Sequence, residues 1–177
     1  MGTDFLDLYK YLARYNRWMN QRLYASADAL TDVQRKSDRG AFFRSIHQTL
    51  THLVLADKMW LARFAAQGSA FDALPQALLV MPEGSSYTSD LHPDWDNLKF
   101  TRDALDAAIE QWLVTMPPEF LTSTMRYANT KGVLRAHPAW QALAHFFNHQ
   151  THHRGQVTTL LTQAGLDVGV TDLIALV

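Results

Sequence analysis

Beyond Pro138, and as far as Ala164, apolar residues recur every three or four positions, yet the stripe they trace is polar at its centre. At helical spacing it runs Ala142, Phe146, His149, His153, Gln156, Leu160. A helix can bury such a stripe only if its polar groups find partners, since each unpaired one costs about 1–3 kcal/mol. A divalent cation held by both imidazoles and by a third ligand from another helix satisfies the stripe most simply. The pattern therefore predicts a metal site inside a helix bundle.

Three further runs carry the same period. In residues 4–27, Phe5, Leu8, Leu12, Tyr15, Met19 and Leu23 form one face, and Asp4 suits the positive end of the helix dipole. A polar stretch over residues 31–40 breaks the pattern. The second run covers 41–66 with the expected inner stripe Ser45, Gln48, His52, Leu55, Met59, Ala62, and Gly68 as its stop. The third starts after Pro93 with Asp94 as cap, buries Leu98, Leu105, Ile109 and Trp112, and ends near Val114 before Pro117-Pro118. The fourth follows Pro138 and stops at Gly165.

Between the second and third runs, residues 68–93 form a long connection punctuated by Pro75, Pro82, Gly84 and Pro93, with a short apolar piece at 77–80. Such excursions serve as lids or partner surfaces about as readily as plain crossovers. Residues 120–126 and 132–135 flank Ala128-Asn129-Thr130-Lys131 as a predicted hairpin. The apolar tail 166–177 is expected to pack back on the helices. Together these features predict an all-α four-helix bundle in one domain of 177 residues.

Helical geometry selects among the histidines. Each residue advances about 100°, so His149 and His153 lie only about 40° apart on successive turns. Metal–nitrogen distances of about 2.0–2.1 Å make such a pair a compact clamp. His145 forms an equivalent pair with His149, but His149 with His153 continues the line from Phe146 to Leu160. His152 sits at the edge of the stripe, as a partner to a ligand or a core-edge group. His47 and His52 point about 140° apart, so only one can face inward. His52 shares the line of Gln48 and Leu55 and is the candidate, leaving His47 at the surface. His92 and His137, each before a proline, are expected at the surface too. A single histidine on an apolar face is more often a hydrogen-bonded core group than a ligand; three on the inward faces of two helices favour a metal.

Other chemistry is disfavoured. The residue after His149 is Gln150, where a zinc peptidase helix of this spacing carries its glutamate base. The histidine run contains no Glu, which a di-iron bundle requires. A mononuclear site with neutral nitrogen ligands remains, suited to zinc, nickel or iron(II). No cysteine exists to supply a thiolate or a disulfide. The net charge of −1 and the scattered basic residues argue against nucleic acid as the main partner. The start lacks the pattern of a secretory signal, and no segment approaches the roughly 20 apolar residues that span a membrane. A cytoplasmic protein is expected.

The chain resembles the DinB-like (damage-inducible, YfiT-like) family of metalloenzymes. The resemblance lies in Tyr15-Asn16-Arg17-Trp18-Met19-Asn20, in the His52 segment with Asp57 and Trp60, and most specifically in Asn148-His149-Gln150-Thr151-His152-His153-Arg154-Gly155-Gln156. Gly165 and Asp172-Leu173 fit as well. It implies a four-helix bundle of up-down-down-up topology, often homodimeric, with His52, His149 and His153 as metal ligands. Members of the wider superfamily include thiol S-transferases using bacillithiol, glutathione or mycothiol, and a mycothiol-dependent isomerase.

Within these segments Asp57, about 140° from His52, is expected to be structural. Gly155 is expected where another helix approaches closely, and Arg154 is expected to pair with an acid at a helix end. Trp18, Trp60 and Trp112 are expected in the core or at a dimer interface. The leading functional expectation is a metal-dependent transferase acting on a low-molecular-weight thiol, with Gln48, Asn148 and Gln156 orienting water or substrate. A metal-dependent hydrolase and a non-enzymatic metal-binding stress-response protein are the alternatives.

Overall fold

A computed structural model describes residues 5–68, 74–85 and 88–176. Asp4 and parts of the long connection lie outside the described residues. The elements are α1 (Phe5–Asp28), α2 (Asp32–Lys36), α3 (Ile46–Ala65), α4 (Gln76–Leu79), α5 (Trp95–Thr115), β1 (Thr124–Ala128), β2 (Leu134–Pro138) and α6 (Ala139–Gln163). The fold is mostly helical with one small antiparallel hairpin, in which Arg126 pairs with Ala136. Helix α1 packs on α5 and α6, and α3 packs on the same two. Leu23, Leu50, Leu61, Phe64, Leu105, Trp112, Phe146 and Leu161 fill the space between them.

Local chemistry sets most boundaries. The Asp94 side chain accepts from the Asn97 amide and opens α5 as expected. Gly165, at φ 82°, closes α6: its amide donates to Thr162 and the next amide, of Leu166, to Leu161. The expected polar break instead contains α2, opened by a capping box between Thr31 and Gln34. Helix α3 starts at Ile46 rather than near Ala41. Ser45 caps it by accepting from the Gln48 amide, and residues 41–44 form a tight turn closed by Arg44 N–H to Ala41 O at 2.8 Å.

The inner faces differ in part from the expected stripes. Phe5 and Leu8 lie outward, 66 % and 46 % exposed, while Leu6, Tyr9, Ala13, Asn16 and Asn20 face inward. On α3, Gln48 and Ala62 are exposed, and Ile46, Leu50, Leu53, Asp57, Leu61 and Phe64 form the deep face. His47 and His92 are buried, not at the surface. The long connection returns across the start of α3, so His47 Nε2–H donates to the His92 carbonyl at 2.7 Å, and His92 Nδ1 lies 2.8 Å from Asn97 Oδ1. Gly155 faces solvent, and a Cβ placed on it would have no neighbour within 4 Å, so among the described residues no helix approaches there and the structure offers no reason for the glycine. The tail packs on α1: the Tyr11 and Tyr15 hydroxyls donate to the Leu173 and Thr171 carbonyls.

Among the described residues no helix is long and apolar enough to cross a membrane.

Candidate metal centre

Helix α3 carries His52 on its edge toward α6, and α6 presents His149 and His153 on successive turns. The three rings converge. His149 Nε2 lies 3.1 Å from His153 Nε2 and 3.3 Å from His52 Nε2, and one nitrogen from each ring falls within 4.8 Å of the others. Two nitrogens on one tetrahedral ion, each about 2.0–2.1 Å from it, sit roughly 3.3–3.4 Å apart. The observed spacings match that edge, so the three rings fit a single divalent ion.

The protonation states agree. Burial, and after it the neighbouring His153 and His52, hold the His149 imidazolium pKa down to about 3. Burial also lowers that of His153. These rings are therefore neutral at neutral pH and offer lone pairs. His153 Nδ1 is 2.8 Å from Gln156 Oε1. An amide oxygen only accepts, so Nδ1 carries the proton and Nε2 is left free to bind. The Gln156 amide in turn donates to His152 Nε2 at 3.2 Å, which places the exposed His152 behind the cluster as a support. His145 stays outside the three-ring group. Its ring packs on Trp60 at 4.9 Å, and its pKa is lowered by burial and by Arg63.

The surroundings were hidden from periodicity. The turn before α3 lays Phe43 flat against His52 at 4.0 Å and edge-on to His153 at 5.5 Å. The Ser45–Gln48 capping pattern was the available signal, since a helix starting at Ile46 leaves Phe43 free to fold over the site. His52 also lines two cavities. One, of about 270 Å³, lies beside Phe43, Gln48, Thr51 and Asp90. The other, of about 330 Å³, is shared with His149, His145, Trp60, Arg63 and Tyr127. Of the residues expected to orient water or substrate, Gln48 lines the first cavity and Gln156 holds His153, while Asn148 is exposed to solvent.

A buried polar ring fixes how α3 and α6 face each other. Arg102 on α5 binds Asp57 on α3 at 2.7 Å and Asp106 at 2.9 Å. Asn16 and Asn20 on α1 donate to Asp106 at 3.1 and 3.0 Å. From α6, Gln150 donates to Asp57 and Arg154 donates to Asn16. Every long helix contributes. Asp57 is thus structural, as expected. Arg154 does not sit at a helix end with an acid; it is buried in this ring on an asparagine. Burial pushes the Asp57 pKa up to about 6 against the pull of Arg102, and raises that of Asp106 as well. Trp60 and Trp112 are core residues, and Trp18 is half-buried against Tyr15.

Comparison with known proteins identifies the family. The chain is 25 % identical over 162 residues to Protein DinB of Bacillus subtilis (strain 168), a match covering 91 % of this chain and 88 % of that protein. No solved structure gives a significant match. The family model described as "DinB family" matches residues 1–176. With the match running through all the helices that carry the three rings and their supports, the chain belongs to the DinB family.

Proposed function

We propose that His52, His149 and His153 hold one divalent ion, zinc, nickel or iron(II), and that the protein uses it to join the sulfur of an intact low-molecular-weight thiol to an electrophilic carbon, the S–H bond breaking as the S–C bond forms and the proton leaving with the electrophile's departing group. When bound, the ion supplies Lewis acidity that favours loss of the thiol proton. The observation that carries the reading is the convergence of three Nε2 atoms beside two cavities in a chain without cysteine. The reacting sulfur must then come from the substrate. The His153–Gln156 contact presents the bare Nε2, Phe43 limits the motion of His52, and the cavities give two approaches to the same ring cluster. Thiol-using members of the superfamily that the sequence resembles support the choice of substrate.

The same reading includes an up-down-down-up bundle, a cytoplasmic homodimer, and small molecules rather than nucleic acid or membrane as partners. The outward Phe5 and Leu8, with Trp140 across a groove from Phe5, give the dimer an apolar face. Metal-loaded and metal-stripped protein assayed with a panel of low-molecular-weight thiols and an electrophile tests the activity. Metal-dependent conjugation is expected; none across the panel overturns it. A hydrolase is the second reading, because Asp90 lines the cavity beside His52 and supplies a carboxylate that could act as base toward water.

A further inference from the structure

The cavity on the Trp60 side contains a cation that the ring cluster does not use. Arg63 is half-buried, with its guanidinium carbon 4.8 Å from the ring centres of both Trp60 and Tyr127. Among the described residues it forms no ion pair, unlike the fully buried Arg102. Burial lowers its pKa, the mark of a charge partly withdrawn from water without a carboxylate to compensate it.

The clamp around it is built. Tyr127 belongs to β1, and β1 is pinned to α3 by Gln67, whose amide donates to Arg126 O at 2.9 Å while its oxygen accepts from Arg126 N at 3.1 Å. The Tyr127 hydroxyl is held by His137 Nε2 at 3.2 Å. The two rings, 5.3 Å apart and inclined 62° to each other, form a corner that holds the guanidinium and leaves N–H groups on its open side for a ligand. Helix side chains lean toward the N-terminus, so Arg63 reaches back along α3 toward His52. A short run of ring contacts completes the path: Trp60 to His145 at 4.9 Å, and His145 to His149 at 5.8 Å.

We propose that this cavity is the anion subsite of the same centre, where Arg63 binds a single carboxylate of a substrate whose other, metal-seeking end reaches His52 and His149. The inference rests on the metal-and-thiol reading for that far end only. The charge balance selects the carboxylate. The lining offers one permanent cation, Arg63, and no lysine. A phosphate dianion would leave a negative charge unmatched, whereas a carboxylate accepts two parallel N–H bonds from a planar guanidinium.

Two titrations test it. In cobalt(II)-loaded protein, the sulfur-to-metal absorption band is followed with mercaptohexanoate and with its neutral counterpart mercaptohexanol. The acid is expected to bind at least about 10-fold more tightly, the range of a charge-assisted hydrogen bond. In Arg63→Gln that preference shrinks to within about twofold while the alcohol binds as before, and Arg63→Lys retains part of it. Equal affinity of the wild-type protein for acid and alcohol overturns the subsite.

The second titration needs neither metal nor variant. The Arg63 side-chain Nε–H resonance of metal-free protein is followed with hexanoate, hexanol and hexyl phosphate. A saturable shift with hexanoate alone is expected. No shift with hexanoate, or the same shift with hexanol, overturns the subsite, and tighter binding of hexyl phosphate overturns the carboxylate assignment. Should neither thiol produce the absorption band, thiol activation fails, and the resonance titration decides the subsite by itself.

Discussion

His153 Nδ1 donates to Gln156 Oε1 across 2.8 Å, three residues on along the same helix. The bond fixes both the tautomer and the orientation of the ring that faces His149. Gln156→Ala removes it and leaves the three imidazoles in place. Metal affinity measured by chelator competition is expected to fall by about 10–100-fold, with the thermal unfolding of the metal-free protein little changed. Unaltered affinity would show that the contact plays no part in holding the ring.

The i, i+4 alternatives on α6 separate cleanly by substitution. His149→Ala is expected to lose bound metal on gentle purification, whereas His145→Ala and His152→Ala retain it, because only His149 places Nε2 within 3.3 Å of both other rings. Elemental analysis of the three variants beside the wild type provides the measurement. Equal metal in His149→Ala would remove the proposed ligand set.

Asp57 and Arg102 are both almost wholly buried, and taking Asp57 away removes one of the two carboxylates on Arg102 together with the acceptor of the Gln150 amide. Asp57→Ala is expected to cost about 3–5 kcal/mol in denaturant unfolding of the metal-free protein. A loss below about 1 kcal/mol, the range of an exposed pair, would mean that the ring contributes little to stability.

His47 gives stability a pH dependence. Its folded-state pKa is lowered, chiefly by burial, so the unfolded chain takes up a proton first as pH falls below about 6.5. Its contribution is present above that pH and is lost on acidification, by up to about 1.4 kcal/mol per pH unit. Asp57 acts in the opposite sense: its raised pKa favours the fold below about 3.8, and that gain is gone above about 6. The comparison of wild type with His47→Gln cancels the carboxyl contribution. Between about pH 7 and pH 5 the wild type is expected to lose roughly 1 kcal/mol more than the variant in urea unfolding. Parallel curves would remove His47 as the titrating group.

The proposed dimer is open to sedimentation. Phe5 and Trp140 line one apolar groove of about 410 Å³ with Pro118 and Leu121. Trp140→Glu is expected to yield monomer with metal content intact. A wild type that sediments as monomer at micromolar concentration would withdraw the dimer.

Helices α5 and α6 were legible because their ends are decided locally, by Asp94 and Gly165, and their apolar period is long. The ring cluster was legible for a related reason: two of its members share one helix, where spacing is geometry. What escaped depends on distant chain. His47 and His92 are buried because the long connection comes back over α3, and no periodicity within α3 encodes that return. Phe5 and Leu8 fit the inner stripe by spacing, but lie in the first turns of α1, where among the described residues they stay largely exposed. Phe43 and Arg63 gain their positions from a turn and from a hairpin pinned by Gln67, each a matter of tertiary contact rather than pattern.

The knot joining Asp57, Arg102, Asp106, Asn16 and Arg154 acts as a vernier for the molecule. Leucine surfaces tolerate sliding, whereas a displacement of one helix by a single turn would strand a charge in a dry interior. Alignment of the imidazole edges across α3 and α6 is therefore set by polar matching at mid-height. The greasy layers above and below can be exchanged for others of similar volume without moving the nitrogens.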